Sequence, residues 1–150
     1  MIRKIDLDHM REVLPLLELQ QTAYRLEAEL MGMQEVPPLL DSPATLKDSE
    51  ECFFGYYEGE RLVGAGACKQ SRKELLICRM MVHPDCFRQG IASRLLQHME
   101  TFAPPGMRIR VATGTKNEPA VRLYEKHGYV PGQVHLVAPG VSLTQFQKRG

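Results

Sequence analysis

Between Met80 and Leu96 the chain runs from an apolar segment, Met80-Met81-Val82, through His83-Pro84 and a polar loop to Gly90. A helical pattern then begins, with Ile91, Leu95, Leu96 and Met99 on one face. This succession predicts a strand that ends at Pro84, a glycine-containing turn and the start of a helix. The first amides of a helix have no intrahelical acceptor, and the helix dipole adds partial positive charge where they converge, so such a joint suits phosphate oxygens. Gly90 permits close approach to the backbone, Ala92 and Ser93 are small, and Arg88 and Gln89 carry side-chain donors.

The rest of the chain supplies elements around this joint. Met1–Leu7 reads as a first strand. Asp8 can cap a helix from about His9, with Val13, Leu16 and Leu17 on its buried face; Pro15 predicts a break or kink before a second helical stretch from Leu19 to Met31, stopped by Gly32. From Gln34 to Glu50 the chain is irregular, with Pro37, Pro38 and Pro43, and a short helical turn is expected at Ala44–Lys47. Cys52–Glu58 and Arg61–Lys69 form a hairpin around Gly59-Glu60, and Glu74–His83 a further strand. Gly64-Ala65-Gly66 is no nucleotide fingerprint, since no helix follows; small residues there let another element pack close. The helix after the loop runs to about Phe102, Met107–Thr113 is a strand, and Asn117 caps a helix closed by Gly128. Tyr129–Val137 and Val141–Gln147 are the last strands. The order β-α-α-β-β-β-α-β-α-β-β predicts one mixed domain spanning residues 1–150.

Composition narrows the function by exclusion. With 19 basic and 18 acidic residues the net charge is +1, which gives no reason to expect nucleic acid or a membrane surface as partner. No apolar run approaches the ~20 residues of a membrane span, and the N-terminal Met-Ile-Arg-Lys-Ile-Asp has no apolar signal core. A cytoplasmic protein is expected. Cys52, Cys68, Cys78 and Cys86 form no Cys-x-x-Cys pair and read as reduced thiols, with no metal site.

Two segments together resemble the GNAT superfamily of acetyl-coenzyme A-dependent N-acetyltransferases. Val82-His83-Pro84 through Phe87-Arg88-Gln89-Gly90-Ile91-Ala92 is similar to the family's acyl-coenzyme A loop, Gln/Arg-x-x-Gly-x-Gly/Ala, with Phe87 in its first slot. Asn117-Glu118-Pro119-Ala120 with Leu123-Tyr124 and Gly128-Tyr129 is similar to its second signature, Asn-x-x-Ala-x-x-x-Tyr-x-x-x-Gly-Phe/Tyr. The resemblance covers nearly the whole element order. It implies an α/β (α+β) fold with a mixed, mostly antiparallel sheet of about seven strands and helices on both faces. It implies acetyl-coenzyme A as acyl donor and a primary amine of a small molecule or peptide as acceptor, and it is compatible with a homodimer.

Carried over by position, the resemblance implies that Met81 and Val82 pair their backbone with the pantetheine arm. Phe87, Arg88, Gln89, Gly90, Ile91, Ala92 and Ser93 cradle the pyrophosphate, Asn117 touches the cofactor arm, and Tyr124 lies near the thioester sulfur. The helical spacing of Tyr124 from Ala120 and His127 equally fits a core tyrosine. The general base is left open. Family members often carry a glutamate on the strand before the loop, where this chain has Leu75, Leu76 and Ile77. Glu74 at the start of that strand, Glu27 and Glu29 on the second helical stretch, Glu35 in the following loop, His83 and a water relay are the candidates. Arg79, on an otherwise apolar strand, is expected to reach solvent before it is expected to order the cleft or pair a substrate carboxylate. The rival function is a non-catalytic acyl-coenzyme A binding or sensing domain; a nucleotide-binding α/β module is a remote third.

Overall fold

The computed structural model describes residues 1–31 and 41–150. Glu35, Pro37, Pro38 and the expected helix stop at Gly32 therefore lie outside the described residues. The elements are β1 (Ile2–Lys4), α1 (Met10–Met31), α2 (Pro43–Asp48), β2 (Cys52–Glu58), β3 (Arg61–Gln70), β4 (Glu74–Val82), α3 (Ile91–Glu100), β5 (Arg108–Gly114), α4 (Glu118–Lys126), β6 (Val130–Ala138) and β7 (Val141–Arg149). They form one seven-stranded sheet in the order β1-β2-β3-β4-β5-β7-β6. All neighbours are antiparallel except β4 and β5.

One expectation fails at the N-terminus. α1 passes through Pro15 without a break, so the two predicted helical stretches are a single helix of 22 residues. The proline removes the bond its N–H would make to Arg11, but both residues are exposed, and water can take the vacant carbonyl. The predicted turn at Ala44–Lys47 is α2, whose cap Ser42 exchanges bonds with Thr45 in a capping box.

The sheet separates two cores. On one face α1 and α2 pack Val13, Leu16, Leu19 and Leu46 against Phe53, Ala65 and Ala67. On the other, α3 and α4 bring Ile91, Leu95, Leu96, Met99 and Tyr124 onto Val63, Leu75, Ile77, Val111 and Phe146. The glycines of β3 let α3 lie close to the strand. A Cβ on Gly64 would sit 2.7 Å from Ile91 Cγ2, and one on Gly66 2.6 Å from Met99 Cε. The Met99 methyl is the flexible end of a side chain, whereas Ile91 is branched and opens the helix. Gly64→Ala is therefore expected to destabilise the protein by about 1–3 kcal/mol through overpacking, read by denaturant unfolding. Wild-type stability in that variant would show that α3 has room to shift.

Candidate active site

The site begins where two strands part. β4 and β5 pair from Glu74 opposite Arg108 to Ile77 opposite Val111, and pairing then stops. Two features separate them. On the β3 side, Cys68 pairs with Ile77 and Ala67 with Arg79, so Cys78 is an extra residue, a bulge that bends the strand. β5 meanwhile stays with β7 as far as Gly114 opposite Leu143. The opening is a cavity of about 910 Å³, lined by Tyr24 and Glu27 of α1, Met80 to Val82 of β4, Val111 to Thr113 of β5, the start of α3 and one face of α4.

Backbone alternation decides what β4 offers the opening. The His83 N–H donates to Val63 O of β3 at 2.8 Å, so the amides of Val82 and Met80 turn the other way, toward the gap left by β5. Met81, expected to share this role with Val82, directs its amide to β3, and its side chain is buried with α1. The Met80 amide, by contrast, faces the gap.

The loop after β4 has the shape of an anion cradle. His83 Nδ1 accepts from the Asp85 amide at 3.1 Å and caps a short 3-10 turn, Pro84–Cys86, tying down the loop's start. Arg88 (φ +64) and Gly90 (φ +77) are both left-handed. For Arg88 that conformation costs about 1–2 kcal/mol, and left-handed residues in a turn swing successive amides toward one concavity. Gly90 opens α3 without a side-chain cap, and the first bond of the helix is Arg94 N–H to Gly90 O at 3.1 Å. The intervening amides of Ile91, Ala92 and Ser93 therefore have no intrahelical acceptor. Arg88, Gly90, Ile91, Ala92 and Ser93 all border the cavity; Phe87 stands half-exposed at its rim, and Gln89 is exposed outside the lining. Ser93 Oγ lies 2.9 Å from His127 Nε2, joining α3 to the end of α4. Burial lowers the affinity of that imidazole for a proton.

Acid–base groups gather at the other end. Asn117 caps α4 through its Oδ1, which accepts from the Ala120 amide at 3.4 Å. That leaves its amide nitrogen for Glu27. Glu27 is partly buried, and desolvation raises its pKa above the ordinary carboxylate range, with the Asn117 hydrogen-bonding contact opposing the shift. Tyr124 is buried, and its phenol is pushed up by burial and further by the nearby Glu27 charge. Its ring packs on Tyr129 and Phe146 with centroids 5.6 and 6.0 Å away. The Tyr124 ring is part of the core, and the residue also lines the cavity.

The other base candidates are elsewhere. Glu74 is bound by Arg110 at 2.8 Å and Arg108 at 2.9 Å on the far, paired end of β4, and those arginines hold its carboxyl below the ordinary range. It does not line the cavity, whereas Glu27 does. Glu29 is exposed. Arg79 does not reach solvent: its side chain, 11% exposed, is gripped by Glu51, Asp41 and Gln20. The four cysteines are free, and burial pushes the Cys78 thiol beside the cavity up to about 12. Among the described residues no cluster of ligands suits a metal, and no helix is long and apolar enough to cross a membrane.

Sequence reasoning missed Tyr24. Its signal was present, since it stands three residues before Glu27 on one helix and so shares a face with it.

Comparison with known proteins places this geometry. The model of the acetyltransferase (GNAT) family matches residues 13–129. The chain is 34% identical over 131 residues to the UPF0157 protein YqkA of Bacillus subtilis strain 168, an alignment covering 87% of this chain and 38% of that protein. This chain thus spans well under half the length of that relative. The ribosomal-protein-S18-alanine N-acetyltransferase of Escherichia coli superposes with a TM-score of 0.76 at 16% identity, covering 99% of this chain and 92% of the other. The PaiA N-acetyltransferase of Thermoplasma acidophilum, solved with coenzyme A, gives 0.70 at 15% identity, covering 100% and 98%. With the family model spanning both signature segments and the two parted strands, the chain belongs to the GNAT family of acetyltransferases.

Proposed function

We propose that the protein transfers the acetyl group of acetyl-coenzyme A to a primary amine of a small molecule or peptide, by direct attack on the thioester. The observation that carries this reading is the parting of β4 and β5 with Glu27 and Tyr124 both on the resulting cavity. The donor's pyrophosphate would rest on the amides of Ile91 to Ser93, with Arg88 adding charge, and its arm would run along the β4 edge past Val82 and Met80. A thiol leaves with a pKa of ~8.5, whereas an alkylamine near ~10.4 is almost wholly protonated at neutral pH, a deficit of about 4.6 kcal/mol at pH 7. Removing the amine proton is the harder task, and Glu27 is the group for it: partly buried, and with a proton affinity raised toward the working pH. Tyr124, held protonated by burial, is the donor for the leaving sulfur. A base and an acid on one cavity favour catalysis over an acyl-coenzyme A sensor.

Calorimetric titration of acetyl-coenzyme A and coenzyme A into the wild type and Gly90→Trp, followed by thiol release with a panel of amines, tests this. Gly90 borders the cavity in a left-handed conformation, and space around its Cβ position is open. An indole there is expected to strain and obstruct the cradle, lowering affinity at least tenfold in a folded variant. Absence of wild-type binding would remove the reading; binding without thiol release from any acceptor would leave the sensor.

A further inference from the structure

The proposed reaction leaves the Tyr24 phenol, on the wall of the cavity, unused. Tyr24 lies one turn before Glu27 on α1, is 8% exposed and lines the cavity. Its hydroxyl faces the Met80 amide, on the edge of β4 that β5 has left. It is within electrostatic reach of Glu27 and Tyr124. A core tyrosine needs only a polar partner, but this one is placed at the edge that an acyl donor's arm would follow. The amides of Val82 and Met80 lie two residues, ~7 Å, apart along that edge, so successive carbonyls of an extended arm meet Val82 first and the Tyr24–Met80 pair next.

We propose that Tyr24 is a further catalytic residue: its hydroxyl oxygen faces the Met80 N–H, and its own hydrogen is donated to the thioester carbonyl oxygen, holding the oxyanion formed on attack. This rests on the acetyl-transfer reading above. Once its ammonium proton has passed through Glu27 to solvent, the amine nitrogen forms its bond to the carbonyl carbon while the carbonyl π pair moves to oxygen, and Glu27 takes the second amine proton. Tyr24 keeps its own proton throughout. As the carbonyl re-forms, the carbon–sulfur bond breaks, the sulfur leaves with the electron pair and Tyr124 protonates it. The proton on Glu27 then returns to Tyr124, directly or through water. Burial, reinforced by the Glu27 charge, keeps the Tyr24 phenol protonated, so it remains a donor over the working pH range. A preorganised hydroxyl, polarised by the amide behind it and aimed at developing charge, is the arrangement from which such stabilisation comes.

The test is Tyr24→Phe, with Tyr124→Phe beside it, measured for turnover, coenzyme A affinity, thermal midpoint and the infrared carbonyl band of bound acetyl-coenzyme A. Tyr24→Phe is expected to lower kcat about 10²-fold with coenzyme A affinity and thermal midpoint near wild type. The bound carbonyl band should lie at lower frequency than in solution in the wild type and Tyr124→Phe, and return toward the solution value in Tyr24→Phe. Wild-type turnover and an unmoved band in Tyr24→Phe would overturn the assignment while acetyl transfer stands. A kcat loss accompanied by lost coenzyme A affinity would also overturn it, making Tyr24 a positioning residue. If the wild type binds no coenzyme A, the acetyl-transfer reading falls and takes this one with it.

Discussion

Glu27→Gln is expected to lower kcat by about 10²–10⁴-fold, the usual contribution of a positioned general base, with little change in coenzyme A affinity. Glutamine keeps the shape of the side chain and its contact with Asn117 but takes no proton. The pH profile adds a second readout. Desolvation is the first cause of the raised Glu27 pKa, and the reaction uses the ionised form, so the acid limb of wild-type kcat should lie above the ordinary carboxylate range and vanish in the variant. The stability consequence has the opposite sign. With the folded pKa above the unfolded one, the native state binds more protons between those two values, and stability falls as pH rises through that window. Glu27→Gln removes that cost, so it should be at least as stable as wild type at pH 8 while nearly inactive. Denaturant unfolding at pH 5 and pH 8 checks the sign. Wild-type kcat in the variant would return the base to a water relay or another residue.

The two signature segments were legible because their work is local. A strand stopped by Pro84, a left-handed glycine at 90 and an Asn117 cap each follow from a few neighbouring residues, and they appear where the sequence puts them. The hairpin around Gly59-Glu60 and the tight packing allowed by Gly64 and Gly66 were legible for the same reason. Pro15 misled because the rule that proline breaks helices is a statement about hydrogen bonds, and at an exposed position water supplies the missing partner. The proposed base was not legible. Glu27, Glu29 and Glu74 are the same chemical group in sequence. What separates them is the bulge at Cys78, set by the pairing of β3 with β4, and the parting of β4 from β5 and the two arginines of β5, set by pairing across more than 30 residues. That the Met80 amide, rather than the Met81 amide, faces the gap has a related reason: the side of a strand on which an amide emerges depends on register, and the bulge shifts it.

Arg79→Met is expected to cost about 3–5 kcal/mol of stability, the range for removing one partner of a buried ion pair, or ~10 °C in thermal midpoint at about 2–4 °C per kcal/mol. The guanidinium is forked onto Glu51, with Nε to Oε1 at 2.9 Å and Nη2 to Oε2 at 3.2 Å. Nη1 reaches Asp41 Oδ2 at 2.7 Å and Gln20 Oε1 at 2.9 Å. The carboxylate side chains are only 12% and 15% exposed, so methionine would strand two buried negative charges. The cost lies mainly in that stranding, which makes a decisive control available. Adding Glu51→Gln and Asp41→Asn to Arg79→Met should recover a large part of the loss, because neutral amides carry a smaller desolvation penalty. Arg79→Lys should recover less, since one ammonium cannot reproduce the bidentate fork. The network also joins β4, at the residue before Met80, to Gln20 on α1, four residues before Tyr24 and seven before Glu27. Loosening it should therefore raise KM for the amine more than it weakens coenzyme A, whose phosphates would rest on α3 across the sheet. A loss below 1 kcal/mol in Arg79→Met, or an unrescued triple variant, would show that the cation is not what holds α1 against the cleft.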